Sequence, residues 1–71
     1  MIVSVIGLGT FGAKTAVRLC EKGAEVIAID SNSELVEKIR DRVTHALALD
    51  VTDERSMRSV NISDVDVAIV A

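Results

Sequence analysis

Four short apolar blocks dominate the pattern of this chain: MIVSVI (1–6), VIAI (26–29), HALAL (45–49) and VDVAIVA (65–71). Each has strand length, and each is close to continuously apolar where a strand exposed on one face would alternate. Such runs are typical of parallel strands covered on both sides. The segments between them carry helical periodicity. In 10–22, Ala13, Ala16, Val17 and Cys20 recur at three- and four-residue steps, with Lys14, Arg18 and Lys22 on another face. In 32–42, Leu35, Val36 and Ile39 face inward, Glu34–Lys38 is a favourable i,i+4 pair, and Ser31 with Glu34 fits a capping box with Ser31 as N-cap. A short third helix is expected over 53–60, with Met57 and Val60 inward, Thr52 as cap and Glu54–Arg58 paired. The order is βαβαβαβ, which implies a parallel sheet with right-handed crossovers and strand order 3-2-1-4. This is one half of a doubly wound α/β fold plus the first strand of the other half. Residues 1–71 read as a single partial domain, and a complete one would continue for about two more strands.

Composition excludes other classes. Of 71 residues, 49% are hydrophobic and 27% charged, a balance that suits a globular chain. One cysteine forms no internal disulfide, so a stapled secreted mini-protein is excluded. No apolar run approaches the ~20 residues of a membrane helix, and the N-terminus shows no secretory signal pattern. A net charge of −3 argues against a broad nucleic-acid footprint. With no tryptophan and one phenylalanine, a core this small calls for support from further sequence, a partner subunit or a ligand.

One motif carries chemistry. Gly7-Leu8-Gly9-Thr10-Phe11-Gly12 is G-x-G-x-x-G, and it directly follows a strand pattern and opens a helical one. Gly7 permits the tight turn, Gly9 lets a pyrophosphate approach the backbone, and Gly12 lets the first helix pack closely on the sheet. The helix then aims its N–H groups and positive dipole end at the phosphates. The plain alternative is a glycine turn that binds nothing.

Asp30 ends the second strand, 18 residues after Gly12. An acid about 20 residues beyond the motif accepts from ribose hydroxyls, and it would repel a 2′-phosphate, which disfavours NADP. Ser31 and Asn32 follow; polar ligand contacts and ordinary capping explain them equally. Asp50 and Val51 follow the third strand at the same end of the sheet and would sit by the adenine; strand termination and capping are the alternative. His45 opens the third strand at the far end, where a structural or surface role outweighs metal binding. Cys20, on an apolar helix face without a histidine partner, reads as an inert thiol. The stripe of Lys14, Arg18 and Lys22 reads as a solvated face, with a partner contact as the alternative. No catalytic constellation and no metal-ligand set emerges, and the chain holds no room for a substrate domain.

The stretches VIGLGTFG, VIAIDSNSELVEKIRD, VTHALALDVTDERSMRS and DVAIVA together resemble the N-terminal half of an RCK/KTN domain of the TrkA-N type. The resemblance covers essentially the whole chain, and the Val43–Glu54 segment is its most telling part. It implies a Rossmann-like three-layer parallel fold. It also implies a non-catalytic regulatory domain that binds NAD(H), or ATP/ADP, and gates a membrane potassium transporter or channel. Homodimers or larger rings would form, cytoplasmic and peripheral to the membrane through that partner, with no membrane insertion and no nucleic acid. By position, Gly7, Gly9 and Gly12 would cradle phosphates, with Leu8, Thr10 and Phe11 between them counted in the cofactor site; Asp30 would hold the ribose, with Ser31 and Asn32 beside it, and Asp50 with Val51 would sit by the adenine. Some members carry an arginine where this chain has Thr10, which leaves ATP-specific gating without that contact. The alternative function is the cofactor-binding half of an NAD-dependent oxidoreductase.

Overall fold

A computed structural model of the chain describes residues 1–50 and 65–71. Strand β1 (Ile2–Ile6) leads through the glycine loop to helix α1 (Thr10–Glu21), then to β2 (Glu25–Asp30). Helix α2 (Ser33–Ile39) tightens into a 3₁₀ turn at Arg40–Arg42 and leads to β3 (His45–Ala48); β4 (Val67–Val70) completes the described elements. The expected third helix over 53–60, with Thr52, Glu54, Met57, Arg58 and Val60, lies outside the described residues.

The strands form one sheet in the order β3-β2-β1-β4, with every pairing parallel. The expected 3-2-1-4 order is therefore present, in a Rossmann-like α/β fold. Register aligns Val3 with Val26 and Val67, Val5 with Ala28 and Ile69, and Ala28 with Ala46. Strand pleating puts all of these on one face. Val3, Val5, Val26, Ala28 and Ala46 cluster there with Ala16 and Val17 of α1 and Val36 and Ile39 of α2. Both helices thus lie on the same side of the sheet, as right-handed crossovers that step in one direction require. The opposite face carries Ser4 and Ile29, both buried, and the exposed Val70.

Local chemistry sets the element ends. Helix α1 stops because Gly23 adopts φ +97, a left-handed conformation that other residues resist. Its neighbours close a Schellman arrangement: Ala24 N–H donates to the Leu19 carbonyl at 3.1 Å and Gly23 N–H to the Cys20 carbonyl at 3.0 Å. Helix α2 differs from expectation at its start. Asn32, not Ser31, is the N-cap, and its side chain accepts from Glu34 N–H at 2.9 Å. The cause is the preceding residue: Asp30 Oδ1 takes the Asn32 N–H at 2.8 Å, an Asx turn that moves the helix start one residue on. The ion pair on this helix joins Arg40 to Glu37 at 2.8 Å, where the sequence suggested Glu34–Lys38. It is exposed and contributes little.

Candidate functional site: the glycine loop and Asp30

The loop between β1 and α1 sits at the carboxyl end of the sheet, against β2 on one side and the end of β4 on the other. Gly7 N–H donates to the Ile29 carbonyl at 2.9 Å, and Ala71 N–H to the Ile6 carbonyl at 2.9 Å. Gly7 has φ +100, and a Cβ there would lie 2.6 Å from the Ala71 carbonyl oxygen. A Cβ on Gly12 would overlap the Gly7 carbonyl and reach the Ala71 side chain at 3.4 Å. These two glycines therefore serve the turn and the close approach of helix to sheet. Gly9 differs, since a Cβ there would meet nothing within 4 Å. Its backbone faces open space, which is the condition for a phosphate to come close.

Gly9 is the N-cap of α1, without a side-chain cap and without an acidic residue in the first turn. The first helical N–H groups, at Thr10, Phe11 and Gly12, have no acceptor within the helix, and the dipole adds partial positive charge at that end. Gly9, Thr10 and Phe11 are exposed around it.

Leu8 links the loop to the core and to Asp30. Its side chain is 2% exposed and belongs to the core cluster. Its N–H donates to Asp30 Oδ2 at 2.7 Å. Leu8 thus anchors the loop from below, and its amide is turned toward the acid.

Asp30 is the hub of the site. One carboxylate oxygen accepts from Leu8 in the glycine loop, the other from Asn32 at the start of α2. These contacts hold its pKa below the ordinary 3.8: Asn32 N–H contributes most, then Leu8 N–H, then Ser31 N–H, while partial burial opposes them. The group is a fixed anion at neutral pH. A carboxylate has about four lone-pair sites, so the amide donors of Leu8, Asn32 and Ser31 leave about one free to accept from a hydroxyl. A negative charge placed there disfavours a phosphate on the same hydroxyls.

The other expected residues are placed as follows. Ser31 and Asn32 are exposed beside Asp30, with Asn32 Oδ1 committed to its cap. Asp50 is exposed just beyond β3, on the same side, where Leu49 N–H donates to the Asp30 carbonyl at 3.0 Å. Val51 lies outside the described residues. His45 sits at the opposite end of the sheet, its Nε2 3.8 Å from Glu25 Oε1. Among the described residues no group of three potential metal ligands gathers. Cys20 is half-buried, its sulfur 3.9 Å from Thr44 Oγ1.

Thr44 was not singled out by sequence reasoning. Its hydroxyl accepts from Val26 N–H at 3.0 Å and so ties the start of β3 to β2, while Val43 before it and Ala46 two residues on are buried.

Comparison with known proteins places this geometry. The TrkA-N domain model matches residues 3–71. Ktr system potassium uptake protein A of Bacillus subtilis is 38% identical over 68 residues, which is 96% of this chain and 31% of that protein. Ktr system potassium uptake protein C of the same organism is 37% identical over the same share of each. A UDP-N-acetyl-D-mannosamine dehydrogenase of Pyrococcus horikoshii is 32% identical over 60 residues, 84% of this chain and 14% of the enzyme. The chain thus spans about a third of the length of the potassium uptake proteins it matches. With a matching family model across nearly its whole length, on the sheet order and glycine loop described above, the chain belongs to the TrkA-N domain family.

Proposed function

We propose that this chain is the nucleotide-sensing domain of a regulatory protein in a potassium uptake system. NAD(H) is the leading ligand, ATP or ADP the next, and NADP is disfavoured. The observation that carries the reading is the link between Asp30 and the Leu8 amide. It sets a fixed carboxylate beside an open Gly9 and the N-terminus of α1. The residues fit an adenine dinucleotide: Gly9, Thr10, Phe11 and Gly12 supply the phosphate-facing backbone, and Asp30, with Ser31 and Asn32 beside it, supplies the ribose acceptors. Asp50 follows β3 on the adenine side, and Val51 is assigned to the same contact from its place in the sequence. The domain performs no chemistry on its ligand. Binding shifts the balance between two arrangements of a homodimer or ring, in proportion to the ligand's different affinities for them. That shift acts on a membrane transporter or channel subunit from the cytoplasmic side. The likeness to Ktr system potassium uptake proteins supports the partner, and no helix among the described residues is long and apolar enough to cross a membrane.

Calorimetric titration of the full-length protein with NADH, NADPH, ATP and ADP tests the reading. Saturable binding of NADH, with NADPH weaker, is expected; no binding of any of the four to a folded sample would overturn it. The likeness to a dehydrogenase favours one second reading, the cofactor half of an oxidoreductase. Substrate-independent NADH binding without turnover, together with a ligand-dependent change in oligomer shape, separates the regulator from the enzyme.

A further inference from the structure

A groove of about 310 Å³ runs between α1 and α2 on the helical face of the sheet. That is near the lower end of the roughly 300–1,000 Å³ typical of ligand pockets. Its floor is aliphatic: Ala13 and Val17 from α1 and Ile39 from α2. Its rim carries Lys14 and Arg18 from α1 and Arg42 from the 3₁₀ turn, with Glu21 as the one acid. All three cations are exposed. The ion pair among the described residues is Arg40–Glu37, and the His45–Glu25 contact at 3.8 Å involves none of the three, so none of them is neutralised in that way by a described residue. The whole chain has a formal net charge of −3, yet this groove is bordered by three cations and one carboxylate. Positive charge is thus gathered on one concave surface of an acidic protein, which attracts acidic partners and orients their approach.

We propose that the groove between α1 and α2 docks an acidic peptide segment of a partner protein that also presents aliphatic side chains. The rim selects the charge, and the floor selects a peptide over a bare anion, because Ala13, Val17 and Ile39 offer a phosphate no donor. The site is separate from the glycine loop. It begins one turn into α1 and runs toward Glu21 and Arg42, near the amino ends of the strands, while Gly9 and Asp30 lie at the carboxyl ends. Peptide and nucleotide therefore occupy the domain together, and the inference stands independently of the proposed ligand.

Fluorescence anisotropy of a labelled short peptide of alternating Glu and Leu, with the full-length protein, tests it. Binding to the wild type is expected, weakening as salt rises, because exposed charges are screened over about 10 Å at 0.1 M. The double variant Arg18→Glu, Arg42→Glu, both at exposed positions, is expected to bind about tenfold more weakly or worse, with an unchanged circular-dichroism melt. A peptide with Ser in place of every Leu is expected to bind the wild type several-fold more weakly, a comparison that needs no protein variant. Absence of peptide binding to the wild type, equal affinity of wild type and double variant, or equal affinity of the Leu and Ser peptides would each overturn the proposal. Displacement of the peptide by equimolar inorganic pyrophosphate would also overturn it, and would identify a small-anion site instead.

Discussion

Each glycine of the loop meets a different constraint, so their substitutions separate folding from binding. Gly12→Ala forces a methyl into the Gly7 carbonyl, a backbone atom that cannot move aside. A loss of about 1–3 kcal/mol or more is expected in urea unfolding, in the range of overpacking costs. Gly9→Ala meets nothing within 4 Å and should still fold, at a cost of at most about 1 kcal/mol for alanine in place of an N-cap glycine. It is expected to weaken NADH binding at least tenfold in calorimetry, because the methyl would fill the space assigned to the proposed phosphate. If Gly9→Ala bound NADH normally, the phosphate would not lie over Gly9. Leu8→Ala separates in the other direction: its side chain is 2% exposed, and about 2–5 kcal/mol of stability should be lost on truncation.

At the scale of elements, the segment joining β2 to α2 is organised by two side chains. Asp30 makes the Asx turn and Asn32 caps the helix. Asn32→Ala is expected to lower stability by about 1 kcal/mol, the usual value of an N-cap, and Ser31→Ala to leave it within about 0.5 kcal/mol. Thermal melts of the two variants check the assignment; the reverse order would return the cap to Ser31. How legible these elements were follows from their chemistry. Strand positions were readable from near-continuous apolar runs such as VIAI (26–29), and helix positions from the three- and four-residue spacing of residues such as Val36 and Ile39. The cap was misplaced by one residue, because Ser31 and Asn32 are both good caps and only the hydrogen bond from Asn32 to Asp30 chooses between them. The burial of Leu8 was not readable for a related reason: inside a glycine motif an apolar residue carries no periodic signal, and its burial depends on what lies beneath the loop.

For the molecule as a whole, Asp30 couples pH to stability. Its folded pKa is lowered, so the group stabilises the folded state above about pH 3.8. That contribution is lost as pH falls through the lower folded value. In Asp30→Asn the replacing amide presents N–H groups where one of the two backbone amides needs an acceptor. The variant should therefore be less stable near neutrality, by about 1–3 kcal/mol. Its unfolding free energy should fall less steeply than that of the wild type between pH 5 and pH 3. Equal pH slopes for the two proteins would remove Asp30 as an anchor of the fold. Ligand should act on the same equilibrium: NADH at about a hundred times its dissociation constant should stabilise the wild type by about 2.7 kcal/mol, and Asp30→Asn by much less.

The amino-acid sequence by itself determined the four strands, the two described helices and the parallel order of the sheet, because near-continuous apolar runs mark strands buried on both faces and a three- to four-residue apolar spacing marks helices. It also marked the glycine loop and the acid that ends β2, since the spacing of those residues is a property of the chain. What only the tertiary structure decided is which donor meets which acceptor across distant segments. Leu8 and Asp30 stand 22 residues apart, and parallel pairing of β1 with β2 brings the loop amide onto the carboxylate. The basic groove has the same origin, for Arg42 joins Lys14 and Arg18 only when α2 lies beside α1. Side-chain partners are set by the packing of elements against one another, and no local period encodes that.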